Sequence, residues 1–299
     1  MPVMGVCNMK TYLISFFEEF AYAQEDTQCL LNAYDTICLH ATAARILQQL
    51  LAAYEQDHQL DYQTEVLDRA KEISDITQLH PYTVDILVFL CMSKHLRALY
   101  RKNQIPMQIY KDSMLDMKWK LRECKAVKGI CGTFVAGWYP GFFKLDRFAL
   151  GRLQFELRTA RYDYRKNGIT LEKEKSPVIN VHIPGTGTPI DKNSCDQAYA
   201  AAKAFFKART GKDCPFVCNS WLLYPENKRI LPPSTNTYRF LSEYDVIDWG
   251  ENQGQDLWRL FDTDETDPDK LPANGSLRRC YIAHLKNGGS VGWGYGVRP

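Results

Sequence analysis

The stretch His182-Ile-Pro-Gly-Thr-Gly-Thr-Pro-Ile-Asp-Lys-Asn-Ser-Cys195 reads, from its residue types, as the end of a strand, a loop and the first turn of a helix. Pro177 to Ile183 is β-branched and mostly apolar, as expected of a central strand covered on both faces. Pro184 to Asn193 is loop chemistry. Asn193 or Ser194 is placed to cap a helix that runs through Ala198 to Thr210 and is closed by Gly211. Such a junction gathers unpaired backbone N–H groups and the positive end of a helix dipole, so it is a ready anion site. Gly185 and Gly187, beside Pro184 and Asn193, let the backbone come close to a ligand. Thr186, Thr188 and Ser194 offer hydroxyls, and Lys192 offers a charge. A phosphate or pyrophosphate fits this chemistry. The stretch is neither GxxxxGK[ST] nor GxGxxG, so the common nucleotide motifs are not met, and an ordinary glycine turn is the competing reading.

Outward from this junction the chain has two textures. Leu153, Phe155 and Leu157 alternate with Gln154, Glu156 and Arg158, the period of a half-buried strand. Phe216 to Tyr224 reads as a strand stopped by Pro225, Asn236 to Tyr244 as a short helix, and Tyr244 to Trp249 as another strand. The glycine-rich Asn287 to Gly296 reads as an irregular terminal strand or tail. Before about residue 145 the apolar residues instead recur every three or four positions, as in amphipathic helices. That pattern runs over Thr11–Gln24, Thr27–Tyr54, Gln63–Ile76, from Pro81 to about Lys102 and from Pro106 to about Cys124. The expected architecture is an α+β two-domain protein. An all-α helical domain spans 1–145, and a mixed α/β domain spans 146–299.

Composition excludes several classes. The 299 residues carry 37 Lys and Arg against 35 Asp and Glu, a net charge of +2, so charge supplies no argument for a nucleic acid or an anionic membrane. With 45% hydrophobic residues the chain is globular and not disordered. No apolar run reaches the ~18 residues of a membrane span. Met1-Pro2-Val3-Met4-Gly5 has no basic region followed by an apolar run, so no secretory signal is read there. The ten cysteines show no CxxC pair, and several sit in apolar patterns, so free thiols and a cytoplasmic location are expected. Cys214, Cys218 and Cys280 with His182 or His284 lack zinc-ligand spacing, and no metal is expected. Asp262 to Asp269 lacks the glycine of a calcium loop and reads as a solvated surface.

Short motifs then add a resemblance. Leu150-Gly-Arg-Leu-Gln-Phe-Glu156, His182-Ile-Pro-Gly185, Ala204-Phe-Phe206, Cys218-Asn-Ser-Trp-Leu-Leu223, Leu231-Pro-Pro-Ser-Thr-Asn236 and Arg239-Phe240 occur in that order. The set resembles bacterial acyltransferase-domain proteins, which join a helical N-acyltransferase domain to a GNAT-like C-terminal domain. The resemblance implies a strand 177–183, a pyrophosphate loop 184–193 and a helix from about 194, with acyl-CoA or acetyl-CoA as co-substrate. The partner it implies is an amine of a small molecule or peptide. The superfamily loop starts with Gln or Arg, a position this loop lacks, so a non-catalytic module that binds CoA or another phosphorylated ligand is the alternative. A transferase needs a base for the amine, for which His182 and Glu156 are candidates, and Ser220 or Tyr224 is placed to return a proton to the thiolate. A hydrolase or transferase using Cys218 as nucleophile is the remaining rival.

Overall fold

The computed structural model describes residues 4–252 and 257–299. Met1 to Val3, part of the stretch read for a secretory signal, lie outside the described residues. The chain forms two compact units, residues 1–146 and 147–299.

The first unit is helical: α1 (Met4–Glu19), α2 (Gln24–Leu39), α3 (Ala41–Gln56), α4 (Asp68–Thr77), α5 (Pro81–Lys102), α6 (Met107–Lys128) and the single turn α7 (Pro140–Phe143). Helix α5 is its axis. Ile86 to Met92 are all completely buried, and α1, α2, α3, α4 and α6 pack around them. A helix that is apolar on every side must be enclosed. Its start is set by Pro81 in the first turn and by His80, whose Nδ1 accepts from the N–H of Tyr82 at 3.1 Å. The continuous apolar stripe of Thr27–Tyr54 is in fact two helices, because the backbone at His40 is extended (φ −92°, ψ 101°) and the chain turns there. The stripe continues through the break, so its period gives no sign of it.

The second unit holds β1 (Arg147–Leu150), β2 (Leu153–Thr159), the hairpin β3 (Tyr164–Lys166) and β4 (Ile169–Leu171), β5 (Pro177–His182), α8 (Lys192–Thr210), β6 (Phe216–Ser220), α9 (Asn227–Ile230), α10 (Asn236–Ser242), β7 (Asp245–Glu251), α11 (Leu257–Phe261), α12 (Ser276–Lys286) and β8 (Gly292–Arg298). The six-stranded sheet runs β1-β2-β5-β6-β8-β7. Only β5 and β6 are parallel, joined by the crossover helix α8. Registers sort the side chains. Glu156 stands opposite Arg147 and Asn180, Gln154 opposite His182, and Val217 opposite Asn180, so these share one face. The other face carries Phe148, Phe155 and Phe216. Their rings lie 4.8 Å from Phe205, 6.0 Å from Tyr199 and 5.0 Å from Tyr199 respectively, all on α8.

The C-terminal glycine run is no irregular tail. Gly292–Arg298 fills the slot between β6 and β7 and pairs with both. Alternate glycines are required because another segment lies flat on that face. A Cβ on Gly294 would stand 2.2 Å from the carbonyl oxygen of Leu223, and one on Gly292 would stand 2.4 Å from the Tyr224 ring. The segment that presses there is the short 3-10 turn Trp221–Leu223 together with Tyr224, so the strand expected over 216–224 stops at Ser220. Replacing Gly294 by Ala therefore forces backbone apart where the Leu223 carbonyl lies against β8. The expected loss is about 3 kcal/mol or more, above the range of ordinary overpacking; thermal melting within one degree of the wild type would contradict this packing.

Candidate active site

Strands β5 and β6 pair from Ile179–Phe216 to Val181–Cys218 and no further. Beyond that point β5 continues beside β2 as His182, opposite Gln154, while β6 continues beside β8 as Ser220, opposite Gly294. The two parallel strands thus part company at their C-terminal ends, where the chain also enters the loop into α8. In open α/β sheets this is where ligands bind.

A buried ion cluster sits at this opening. The Glu156 side chain is only 2% exposed. Its Oε2 lies 3.0 Å from His182 Nε2 and 3.1 Å from a guanidinium nitrogen of Arg147, itself buried, and its Oε1 lies 2.7 Å from Arg158. Burial alone would raise the pKa of this carboxyl. The hydrogen bond from His182 and the charges of Arg147 and Arg158 outweigh it and hold the pKa at about 2. Burial pushes His182 the other way, below the ordinary imidazole range, despite the raising effect of Glu156. The neutral imidazole therefore faces an ionised carboxylate. A carboxylate only accepts, so Nε2 carries the proton and the lone pair is on Nδ1. Asn180 Nδ2 lies 3.2 Å from the same Nε2, while its Oδ1 has no hydrogen-bond partner. Turning the amide over presents Oδ1 to Nε2–H, which it then shares with Glu156.

The loop is held from behind. Arg152, in the β1–β2 turn, donates to three loop carbonyls: Pro189 from Nε at 3.1 Å, Pro184 at 3.1 Å and Thr188 at 2.8 Å. The N–H of Thr186 returns to Pro184 O, and the Thr186 and Thr188 hydroxyls bond each other at 2.7 Å. Gly187 adopts φ +83°, the left-handed region that side chains avoid. Helix α8 begins at Lys192, before the expected start, and its cap is Asp191, not Asn193 or Ser194. The Asp191 carboxylate accepts from the N–H of Ser194 at 3.0 Å and from its hydroxyl at 2.7 Å. Lys192 pairs with Asp196, and Asn193 Oδ1 accepts from Gln197 at 3.4 Å.

Of the residues read as catalytic, Glu156 and His182 are brought into direct contact. Ser220 Oγ instead accepts from the N–H of Leu222 at 3.2 Å, capping the 3-10 turn, and its side chain falls on the α8 face. Tyr224 is buried between Gly292 and Trp249, and burial keeps its phenol protonated. Cys218 is fully buried, which drives its thiol far above the range in which a thiolate forms, so it is no nucleophile. The nine cysteines whose side chains are described are free thiols. Among the described residues no group of three His, Cys, Asp or Glu side chains could hold a metal ion, and no helix is long and apolar enough to cross a membrane. Sequence reasoning missed Arg147, Arg152, Arg158 and Asn180. Arg158 and Asn180 each share a strand face with a residue it had named, whereas Arg147 reaches Glu156 only through the β1–β2 register.

The cluster predicts a stability signature. The pKa of Glu156 in the folded protein lies below its ordinary value of 4.5, so its contribution is present above about pH 4.5 and lost as pH falls towards 2. Glu156→Gln leaves the buried Arg147 charge uncompensated and should cost about 3–5 kcal/mol at pH 7. The gap from the wild type should narrow between pH 4.5 and 2.5. Denaturant unfolding that gives a pH-independent gap would contradict this reading.

Residues 148–298 match the GNAT-like C-terminal domain family, and residues 11–145 match the N-acyltransferase N-terminal domain. No curated protein matches the sequence. Among solved structures, an acyltransferase in complex with CoA and 10C-teicoplanin is similar, with a TM-score of 0.74 at 19% identity, over 95% of this chain and 86% of that one. An acyltransferase in complex with decanoyl-CoA and teicoplanin is similar with a TM-score of 0.72 at 18% identity, over 95% and 87%. At such identities the likeness is one of fold. With half its length and its whole sheet in one family match, preceded by the helical domain that completes the pair, the chain belongs to the family of GNAT-like C-terminal domains joined to an N-acyltransferase N-terminal domain.

Proposed function

We propose that this protein is an acyl-CoA-dependent N-acyltransferase acting on an amine of a small molecule or peptide. The observation that carries the reading is the parting of β5 and β6 with the Glu156–His182 pair at its mouth. Acyl-CoA is the co-substrate, and the loop Pro184–Ser194 is assigned to its pyrophosphate. Arg152 draws the carbonyls of Pro184, Thr188 and Pro189 to itself, which fixes the loop before any ligand arrives. The similar acyltransferase structures bound to CoA and to decanoyl-CoA support the choice of co-substrate.

The chemistry needs little else. An amine is mostly protonated at neutral pH, so it must lose a proton before it attacks. His182 Nδ1 takes that proton, and Glu156 holds the ring in the tautomer that makes this possible. The amine nitrogen then forms a bond to the thioester carbon, the carbon–sulfur bond breaks, the thiolate takes a proton, and the nitrogen gives its second proton back to the group that supplied it. We assign that proton to the Ser220 hydroxyl or the Tyr224 phenol, which lie at the end of β6 and four residues past it. Because burial depresses the pKa of His182, the acid limb of kcat/KM should lie below pH 6.5. A limb at or above pH 7 would remove His182 from this role.

A second reading has its own support. The loop lacks the Gln or Arg with which the superfamily's pyrophosphate loop starts, and this favours a module that binds CoA or another phosphorylated ligand without turnover. Thermal melting with CoA, acetyl-CoA, decanoyl-CoA, ATP and NAD, together with thiol release in the presence of amines, separates the two. Ligand at a hundred times its Kd adds about 2.7 kcal/mol, a shift of a few degrees. Stabilisation by the CoA compounds alone, abolished in Gly187→Val, is expected. His182→Ala should keep binding and lose about 10²–10⁴ in thiol release. Binding with no thiol release from any acyl-CoA would select the second reading, and no shift with any of these ligands would overturn both.

A further inference from the structure

The helical unit contains a cavity of about 240 Å³ that the sheet chemistry does not use. One face of α3 forms its long wall, in two rows stepped by three or four residues, Ala44-Leu47-Leu51-Glu55 and Ala44-Gln48-Ala52. Tyr34 and Cys38 of α2 and His95 of α5 close the other sides. Ala44 and Ala52 are the reason for the space, since larger side chains at those two positions would fill it. Among the described residues that line it, Glu55 is the one that carries charge at neutral pH. Its side chain is 68% exposed, so the carboxylate stands at the mouth. His95 Nδ1 lies 3.5 Å away, but burial, with a contribution from Lys94, holds its pKa below the ordinary imidazole value. The imidazole therefore leaves the negative charge of Glu55 in place.

From the apolar wall with a carboxylate at its rim, we infer that this cavity binds an aliphatic amine, its chain inside and its ammonium on Glu55. A dry cavity of ~150 Å³ accommodates benzene, so 240 Å³ has room for a chain of roughly eight to ten carbons. An alkanoate of the same length would meet the Glu55 charge head on. The site does not rest on the transfer proposed for the sheet.

The test uses octylamine, octanol and octanoate with the full-length protein. Cys38 in the cavity wall is half-buried and free, and its alkylation by iodoacetamide, read by mass spectrometry, reports occupancy. Octylamine should protect Cys38 at concentrations at least tenfold lower than octanoate, with octanol between them. Shortening the amine by one methylene should weaken protection about fourfold. Glu55→Gln, a surface change, should bring octylamine down to the level of octanol and leave octanol unchanged. Ala52→Trp, also on the exposed rim, should abolish protection by all three. Equal protection by octanoate and octylamine, or protection that survives Ala52→Trp, would overturn the inference.

Discussion

A carboxylate that is almost wholly buried stays charged only if cations and donors surround it, and Glu156 is the group in this sheet on which that condition falls. Arg147 and Arg158 supply the charge and His182 supplies the hydrogen bond. Each partner arrives from a different place: Arg147 from β1, Arg158 from the same strand as Glu156, and His182 from β5. The cluster therefore ties the antiparallel edge of the sheet to the strand that leads into the loop. It also fixes which nitrogen of His182 has a lone pair, so one buried charge links the stability of the sheet to the chemistry at its opening.

Much of the architecture is visible in the residues themselves. Period 3.6 before residue 145 and period 2 after it are strong signals because burial acts on every turn or every second residue. Pro81 and the apolar run behind it locate α5 from its start to Lys102. The turn at His40 is invisible because the residues on either side keep the same stripe. The residues of strand β8 leave strand and tail equally open for a related reason. Its glycines carry no hydrophobic signal, yet they are what the flat contact with Leu223 and Tyr224 demands, and that contact exists only once the fold has formed.

The candidate site divides in the same way. His182 and Glu156 stand out as titratable groups on strands. That they touch depends on the β2–β5 register, which places Gln154 opposite His182 and Glu156 one step along on the same face. Arg152 sits within the Leu150–Glu156 motif, but its partners are three backbone carbonyls 32 to 37 residues later, and a carbonyl leaves no mark in a sequence. The anion site read at the start of α8 is part of this picture. The helix dipole is there, and the chain itself places the Asp191 carboxylate against it.

The central claim is that CoA enters where β5 and β6 part. Hydrogen–deuterium exchange with and without CoA tests it segment by segment, without knowledge of the acceptor. The account predicts added protection over residues 181–194 and 218–224, with the outer strand β1 unchanged. Protection absent from 181–194, or confined to residues outside both segments, would contradict it.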